Sequence, residues 1–279
     1  MTKTILITGS TDGIGFETAK ALYAQGHRIV LHGRSATKLA ATEAALRKLS
    51  NDGQTEACLA DLSSMTDVVA LGEALVANDE KIDVVINNAG VFHSADTFTD
   101  DGLDIRFAVN TFAPCLLTQR LLPLLQTGAR VVNLSSAAQS PVDLEALAGK
   151  VRIPDQFNAY AQSKLALTMW SATMARLHQA RGLIFVAVNP GSLLATKMVK
   201  EGFGRDGNDI RIGSDILVRA ALGEEFADAS GKYFDNDKGG FGPPHLDALD
   251  SAKTAQVVDT MSAVLADLAS LRGRTSLSP

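Results

Sequence analysis

Tyr160 and Lys164 stand four residues apart in Asn158-Ala-Tyr-Ala-Gln-Ser-Lys164. On a helix that spacing puts both side chains on one face, one turn apart. An ammonium beside a phenol favours the phenolate, so the pair is expected to draw the tyrosine pKa down toward the range useful for moving protons. Alone, the pair is equally a packing tyrosine followed by a solvated lysine. Its weight comes from a second stretch, Thr8-Gly9-Ser10-Thr11-Asp12-Gly13-Ile14-Gly15, which follows a β-branched run and opens a helical pattern. Glycines there let the backbone turn sharply and approach a pyrophosphate, while a helix N-terminus supplies N–H groups and positive potential.

The elements that would position these groups are short β-branched runs alternating with longer helical patterns. Strands are expected at 3–8, 27–32, 55–60, 83–87, 129–135, 183–189 and 231–235. Helices are expected at 13–25, 36–50, 65–78, 102–126, 158–179, 214–222 and 251–271. Alternation of this kind predicts βαβ units, a parallel sheet and an α/β fold. The runs are nearly continuously apolar, as buried parallel strands are. Three segments rich in glycine, proline or charge, 137–157, 192–213 and 236–249, follow strands. They are expected at the carboxyl edge of the sheet, where open α/β folds bind ligands. The core is expected to span 1–272 as one domain, with 273–279 a loose tail.

Composition excludes several classes of function. With 279 residues, 46% hydrophobic and 20% charged, the chain has ample material for a core. A net charge of −5 points away from nucleic acid and anionic membrane. No run of eighteen apolar residues predicts a membrane span. Residues 3–8 enter a strand at once, which leaves no room for a signal peptide, and the two cysteines, Cys58 and Cys115, read as reduced core thiols. A cytoplasmic protein is expected. No clustered His/Cys set predicts a metal site, and His93 reads as structural.

The spacing Gly-x-x-x-Gly-x-Gly, together with Tyr160 and Lys164, resembles the short-chain dehydrogenase/reductase family. The resemblance extends to Asn87-Asn-Ala-Gly90, Asn110, Ser135-Ser136 and Asn189-Pro-Gly191, in that order along nearly the whole chain. Ala159-Tyr-x-x-Ser-Lys-Leu165 and Ser230-Gly-Lys-Tyr-Phe234 are most similar to the retinol-dehydrogenase-like branch and its bacterial relatives. The resemblance implies a doubly wound Rossmann-type parallel sheet of seven strands with helices on both faces. It also implies an oxidoreductase that moves a hydride to a carbonyl or from an alcohol of a small, apolar substrate. Homodimers or homotetramers are common among relatives, paired through the helices expected at 102–126 and 158–179.

By the same resemblance Tyr160 is the general acid or base, Lys164 lowers its pKa and bonds the nicotinamide ribose, Ser136 steadies the substrate oxygen, and Asn110 holds a water that links Lys164 to solvent. Ser135 competes with Ser136 for its role. The cofactor residues implied are Gly9, Ser10, Thr11, Asp12, Gly13, Ile14, Gly15, Asp61, Leu62, Asn88, Ala89, Gly90, Pro190, Gly191 and Thr196, with Tyr160 and Lys164. Gly33 stands where an NAD enzyme usually places an acid for the ribose 2′-hydroxyl. Arg34 and Lys38 follow, and arginine can form charge-assisted bonds to a 2′-phosphate. NADP(H) is therefore favoured over NAD(H), against the counter-signal of Asp12 in the glycine loop. An NAD-dependent alcohol dehydrogenase and a non-catalytic dinucleotide-binding regulator are the alternatives. The long gap from Ser136 to Tyr160 is expected to sit over the site. Residues 192–213 form a lid candidate, with Gly202, Gly204 and Gly207 for movement and Met198, Val199 and Phe203 to cover an apolar substrate.

Overall fold

The computed structural model describes residues 2–49, 53–204 and 206–275. At its centre runs β1 (Thr4–Ile7), where Ile5, Leu6 and Ile7 are fully buried. A strand covered on both faces needs apolar residues at every position, which is what this one has. On one side lie β2 (Arg28–Gly33) and β3 (Gln54–Leu59). On the other lie β4 (Ile82–Asn87), β5 (Leu125–Leu134), β6 (Ile184–Asn189), β7 (Tyr233–Asp235) and β8 (Gly240–Gly242). The sheet order is β3-β2-β1-β4-β5-β6-β7-β8. All neighbours are parallel except the β7–β8 hairpin. The order reverses between β1 and β4, and a crevice opens at the carboxyl ends there.

The sheet thus has eight strands where seven were expected. The last is a short antiparallel edge strand rich in glycine, whose three residues carry little strand signal of their own.

Helices cover both faces. On one side α1 (Gly13–Ala24), α2 (Ala36–Arg47) and α9 (Arg211–Leu222) bury Leu22, Leu39, Ile216 and Leu217 against Ile5, Ile7 and Val186. On the other, α3 (Met65–Ala77), α5 (Ala113–Leu121), α7 (Gln156–Leu177) and α10 (Ser251–Thr275) pack Leu71, Leu117, Leu165, Trp170 and Met261 against Leu6, Val85 and Val131. Each such side chain contributes about 1.5–3 kcal/mol of transfer free energy.

The helix expected at 102–126 is broken. Asp104 caps α4 (Ile105–Phe107), its carboxylate accepting from the Arg106 N–H at 2.9 Å. A π-helical turn spans Ala108–Phe112 before α5 begins. Pro114 supplies the reason: it has no N–H for the carbonyl of Asn110, so the ladder widens there. Leu125 is already β5, paired with Ile82, four residues before the expected start. The last helix runs on to Thr275, past the expected end at 271. The expected tail residues 276–279 and the end of the second helix at Ser50 lie outside the described residues.

α7 is covered around its circumference. Ala159, Gln162, Lys164, Leu165, Met169, Trp170 and Thr173 are all buried, and α10 lies along it through Val257 and Met261. α10 thereby covers part of one of the two helices through which copies were expected to pair. Residues 137–157, expected over the crevice, are absent from its lining; part of the segment packs on the core, and Phe157 at its end meets Phe92 beside Tyr160. Asp143 caps α6 (Leu144–Leu147), and Ala146 and Leu147 join the core. The segment is tied to α7 by Asp143 N–H to Gln162 Oε1 at 2.9 Å and Ser140 Oγ to Asn158 Oδ1 at 2.8 Å.

Candidate active site

β1, β2, β4, β5 and β6 all end at one cleft of about 490 Å³. Its floor is the turn between β1 and α1. Gly9 has φ +65°, and a Cβ there would lie 2.9 Å from Ala89 Cα. A Cβ on Gly15 would lie 2.3 Å from Gly9 O. Both positions need glycine for close backbone approach. Asn88 braces the turn, its amide donating to Thr8 O at 2.8 Å and Gly9 O at 3.1 Å. Asp12 caps α1, its Oδ1 accepting from Gly13 N–H at 2.8 Å.

Of the residues expected at a cofactor, Gly9, Thr11, Asp12, Gly13, Ile14, Arg34, Lys38, Asp61, Leu62, Asn88, Ala89, Gly90, Tyr160, Lys164, Pro190 and Thr196 line this cleft. Three do not. Ser10 is buried beneath the loop, where its hydroxyl accepts from His32 N–H at 2.9 Å. Gly15 packs behind Gly9, and Gly191, with φ +118°, turns toward Ile212 and Asn236.

At the far end of the cleft from Arg34, Tyr160 and Lys164 share a face of α7. The lysine Nζ lies 5.6 Å from the tyrosine ring centroid. It donates to the carbonyl oxygen of Leu134 at 2.7 Å, so the ammonium is aimed at the end of β5. Burial holds the Lys164 pKa down to about 7. Burial pushes the Tyr160 phenol up, and a hydrogen bond with the Ser136 side chain pulls it partly back. The expected lowering of the phenol pKa is therefore reversed among these residues: desolvation outweighs an ammonium engaged elsewhere. Phe92 meets the Tyr160 ring edge-on at 5.3 Å and Phe157 at 6.1 Å, an apolar flank beside the hydroxyl.

The two serines differ: Ser135 is among the residues that line the cleft and Ser136 is not, but Ser136 is the one bonded to Tyr160. Ser135 is buried, its Oγ 2.7 Å from Thr168 Oγ1. Ser136 faces Tyr160, and its own carbonyl is held by Tyr233 OH at 3.0 Å and Gln139 Nε2 at 2.9 Å. Asn110 lies in the π-helical turn, fully buried. Its Oδ1 accepts from Val91 N–H at 2.7 Å, and its Nδ2 donates to Val91 O and Ser163 Oγ, each at 2.9 Å. The amide is satisfied by protein, so the side chain clamps the loop after β4 to α7.

On the roof, Thr196 caps α8 (Lys197–Phe203) through Val199 N–H, and Met198 reaches the cleft. Asp237, beyond β7, takes Ser192 N–H at 2.8 Å and Ser192 Oγ at 2.6 Å. The chain from 192 to 208 is further pinned by Ala195 N–H to Asn208 O at 2.7 Å. Gly207, expected as a point of movement, is packed: a Cβ there would lie 2.7 Å from Ala195 N. The expectations for Gly202 and Phe203 fall on side chains outside the described ones. His93 is exposed and absent from the cleft lining. Both cysteines are unpaired, with burial pushing Cys58 up to about 11 and Cys115 up to about 12. Among the described residues, no group of metal ligands gathers.

Sequence reasoning missed His32, which lines the cleft and is buried. Its Nδ1 accepts from Gly9 N–H at 3.1 Å and its Nε2 donates to Ala60 O at 3.2 Å. Burial pushes its pKa to about 4, so it is neutral with one tautomer set by its partners. Val109, Leu134 and Lys197 were also missed. Their positions at element ends beside the cleft were the only sequence signal available.

A doubly wound sheet, a glycine turn at its switch point and a tyrosine–lysine pair across the cleft define a nucleotide-binding α/β protein. The chain belongs to the short-chain dehydrogenase family, an oxidoreductase family whose model, described as "short chain dehydrogenase", matches residues 3–205. Within it the chain falls in the retinol-dehydrogenase-like branch. Human retinol dehydrogenase 13 is 32% identical over 254 residues, covering 85% of this chain and 77% of that protein. Mouse retinol dehydrogenase 12 is 33% identical over 248 residues, covering 85% and 78%. Among solved structures, a short chain dehydrogenase from Burkholderia cenocepacia J2315 in complex with NADP is similar, with a TM-score of 0.67 and 26% identity. The match covers 84% of this chain and 95% of that one. Among the described residues, no helix is long and apolar enough to cross a membrane.

Proposed function

We propose that this protein is an NADP(H)-dependent reductase that moves a hydride to the carbonyl of a small, apolar molecule, or from the matching alcohol, with Tyr160 carrying the proton. The observation that carries the reading is Tyr160, hydrogen-bonded by the Ser136 side chain, standing with Lys164 at one end of a cleft that also takes in the glycine turn and Arg34. The NADP complex of the Burkholderia relative supports the choice of cofactor.

The residues present fit such a group. Gly9 and Gly15 leave the backbone bare, and α1 offers its N-terminus to a pyrophosphate. Arg34 is exposed on the cleft with no hydrogen bond or ion pair of its own among the described residues, which suits a 2′-phosphate. Asp61 and Leu62 would flank the adenine, Asn88 to Gly90, Pro190 and Thr196 the nicotinamide end, and Lys164 the ribose hydroxyls. The bound cofactor supplies or takes up the hydride.

The chain's own part is the proton and the charge. Ser136 donates a hydrogen bond to the substrate oxygen, and Tyr160 gives its proton to that oxygen as charge grows there. The buried Lys164 favours the phenolate that remains. Asn110 keeps the loop after β4 and α7 in register, and its carbonyl, without a donor from Pro114, suits a relay water. Phe92, Phe157 and Met198 favour an apolar substrate. The reading includes a cytoplasmic location, in keeping with two unpaired cysteines.

The second reading is an NAD-dependent alcohol dehydrogenase on the same scaffold. It is supported by Asp12, whose carboxylate takes up Lys38 at 3.5 Å and puts a negative charge near the ribose end. Turnover of NADPH and NADH over a panel of aldehydes, ketones and quinones decides between them. NADPH consumption that Arg34→Ala weakens by about tenfold, with NADH unaffected, is the expected result. Equal use of both cofactors by the wild type would remove the preference, and no turnover on any carbonyl would remove the reductase.

A further inference from the structure

Thr11 occupies the space a side chain at position 33 would need. A Cβ built on Gly33 would stand 2.7 Å from Thr11 Cγ2, 3.3 Å from Thr11 Oγ1 and 3.5 Å from Leu39 Cγ. Carbon atoms pack best at about 3.5–4.0 Å, so the first contact is a clash. Threonine is branched at Cβ, and two of its three staggered wells keep a heavy atom at any given spot.

The loop cannot readily carry Thr11 away, because the two residues before it are stitched to His32, the residue before Gly33. Ser10 N–H donates to His32 O at 3.0 Å. Ser10 Oγ accepts from His32 N–H at 2.9 Å. Gly9 N–H donates to His32 Nδ1 at 3.1 Å, and the same ring is held by Ala60 O at 3.2 Å. Every one of these partners except the loop itself is buried strand or strand end.

Gly33 is the last residue of β2, and an acidic side chain at this place would bind a ribose 2′-hydroxyl. Resting on the NADP(H) reading above, we infer that Thr11 is a specificity-determining residue: packed over Gly33 by the His32 clamp, it keeps an acidic side chain out of the ribose end of the cleft and leaves that corner to Arg34. Positions 11 and 33 are then coupled. Gly33→Asp alone lifts the glycine turn off β2 and gains nothing for NADH, whereas Gly33→Asp with Thr11→Ala has room for the carboxylate.

The test is a double-mutant cycle read by calorimetric binding of NADH and NADPH to wild type, Thr11→Ala, Gly33→Asp and the double variant. The double variant is expected to bind NADH at least tenfold more tightly than Gly33→Asp does. Gly33→Asp binding NADH as tightly as the double variant would overturn the proposal. A gentler cycle, Gly33→Ala with and without Thr11→Ala, is read from thermal melts of the protein without cofactor, so the contact remains testable if the aspartate variant does not fold. There Thr11→Ala should restore melting temperature lost in Gly33→Ala, and purely additive melts overturn the coupling. The wild type's own affinity ratio for NADPH over NADH separately tests the cofactor reading: a ratio near one defeats that reading, while the cycles report on Thr11 and Gly33.

Discussion

The Lys164 ammonium lies 2.7 Å from the carbonyl oxygen of Leu134, the last residue of β5. Among the described residues this carbonyl is the hydrogen-bonding partner of the buried cation, and burial lowers its pKa to about 7 against an ordinary 10.5. The proposed partner of Tyr160 is thus held at a cost to the fold, as functional charges in clefts often are.

That cost has a pH signature. Between about 7 and 10.5 the folded protein binds fewer protons at Lys164 than the unfolded chain does, so wild-type stability from this group rises with pH across that window. Lys164→Met removes the titration. Whatever constant offset follows from losing the bond to Leu134, the melting temperature of Lys164→Met relative to wild type should fall as pH goes from 7 to 10. Parallel thermal melts at pH 6.5, 8 and 9.5 check it, and a pH-independent difference would count against the buried charge.

Tyr160→Phe should reduce kcat by about 10²–10⁴-fold while NADPH binding by calorimetry stays within a few fold. Ser136→Ala should lower kcat in the same way through loss of one donor to the substrate oxygen. Ser135→Ala should instead lower stability, by about 1 kcal/mol, because its hydroxyl bonds buried Thr168. If Ser135→Ala rather than Ser136→Ala removes turnover, the two roles are exchanged.

His32 shows the opposite limb. Its folded pKa of about 4 lies below the ordinary 6.5, so the unfolded chain binds more protons as pH falls from 6.5 to 4 and stability is lost there. The full window corresponds to about 3 kcal/mol. His32→Asn has nothing to titrate, so urea unfolding at pH 7, 5.5 and 4.5 should show a shallower acid loss than wild type. Identical slopes would mean that the imidazole is not held neutral.

Arg106 and Asp104 form a buried ion pair beside the π-helical turn. Arg106 Nε donates to Asp104 Oδ1 at 2.7 Å, and Arg106 also reaches Gln156 Oε1 at 3.2 Å, one turn before Tyr160. Arg106→Met leaves the carboxylate buried alone and should cost about 3–5 kcal/mol in urea unfolding. Adding Asp104→Asn should recover part of that loss, and an Arg106→Met protein as stable as wild type would contradict the pairing.

Much of this was legible in the chain. The apolar runs around Ile5, Val85 and Val186 marked the parallel strands because burial on both faces leaves a continuous signal. The glycine turn announced itself because close backbone approach at Gly9 and Gly15 tolerates no side chain. Leu125 reads as helix in the sequence because the pattern through Leu116, Leu117, Leu121 and Leu124 is apolar at helical spacing, and only pairing with Ile82 makes its backbone extended. β8 was unreadable because Gly240 and Gly242 have no strand propensity apart from the partner β7 supplies.

The sequence by itself determined that Tyr160 and Lys164 share a helix face, that a glycine turn opens the first helix, and that strands and helices alternate. These are consequences of neighbours within a few residues. Only the tertiary structure decided that Lys164 points at Leu134, that the Tyr160 phenol is pushed up rather than down, that His32 clamps Gly9 to Ala60, and that Thr11 fills the space beside Gly33. Each of those depends on desolvation or contact between segments distant in the chain, and periodicity along the sequence carries no record of either.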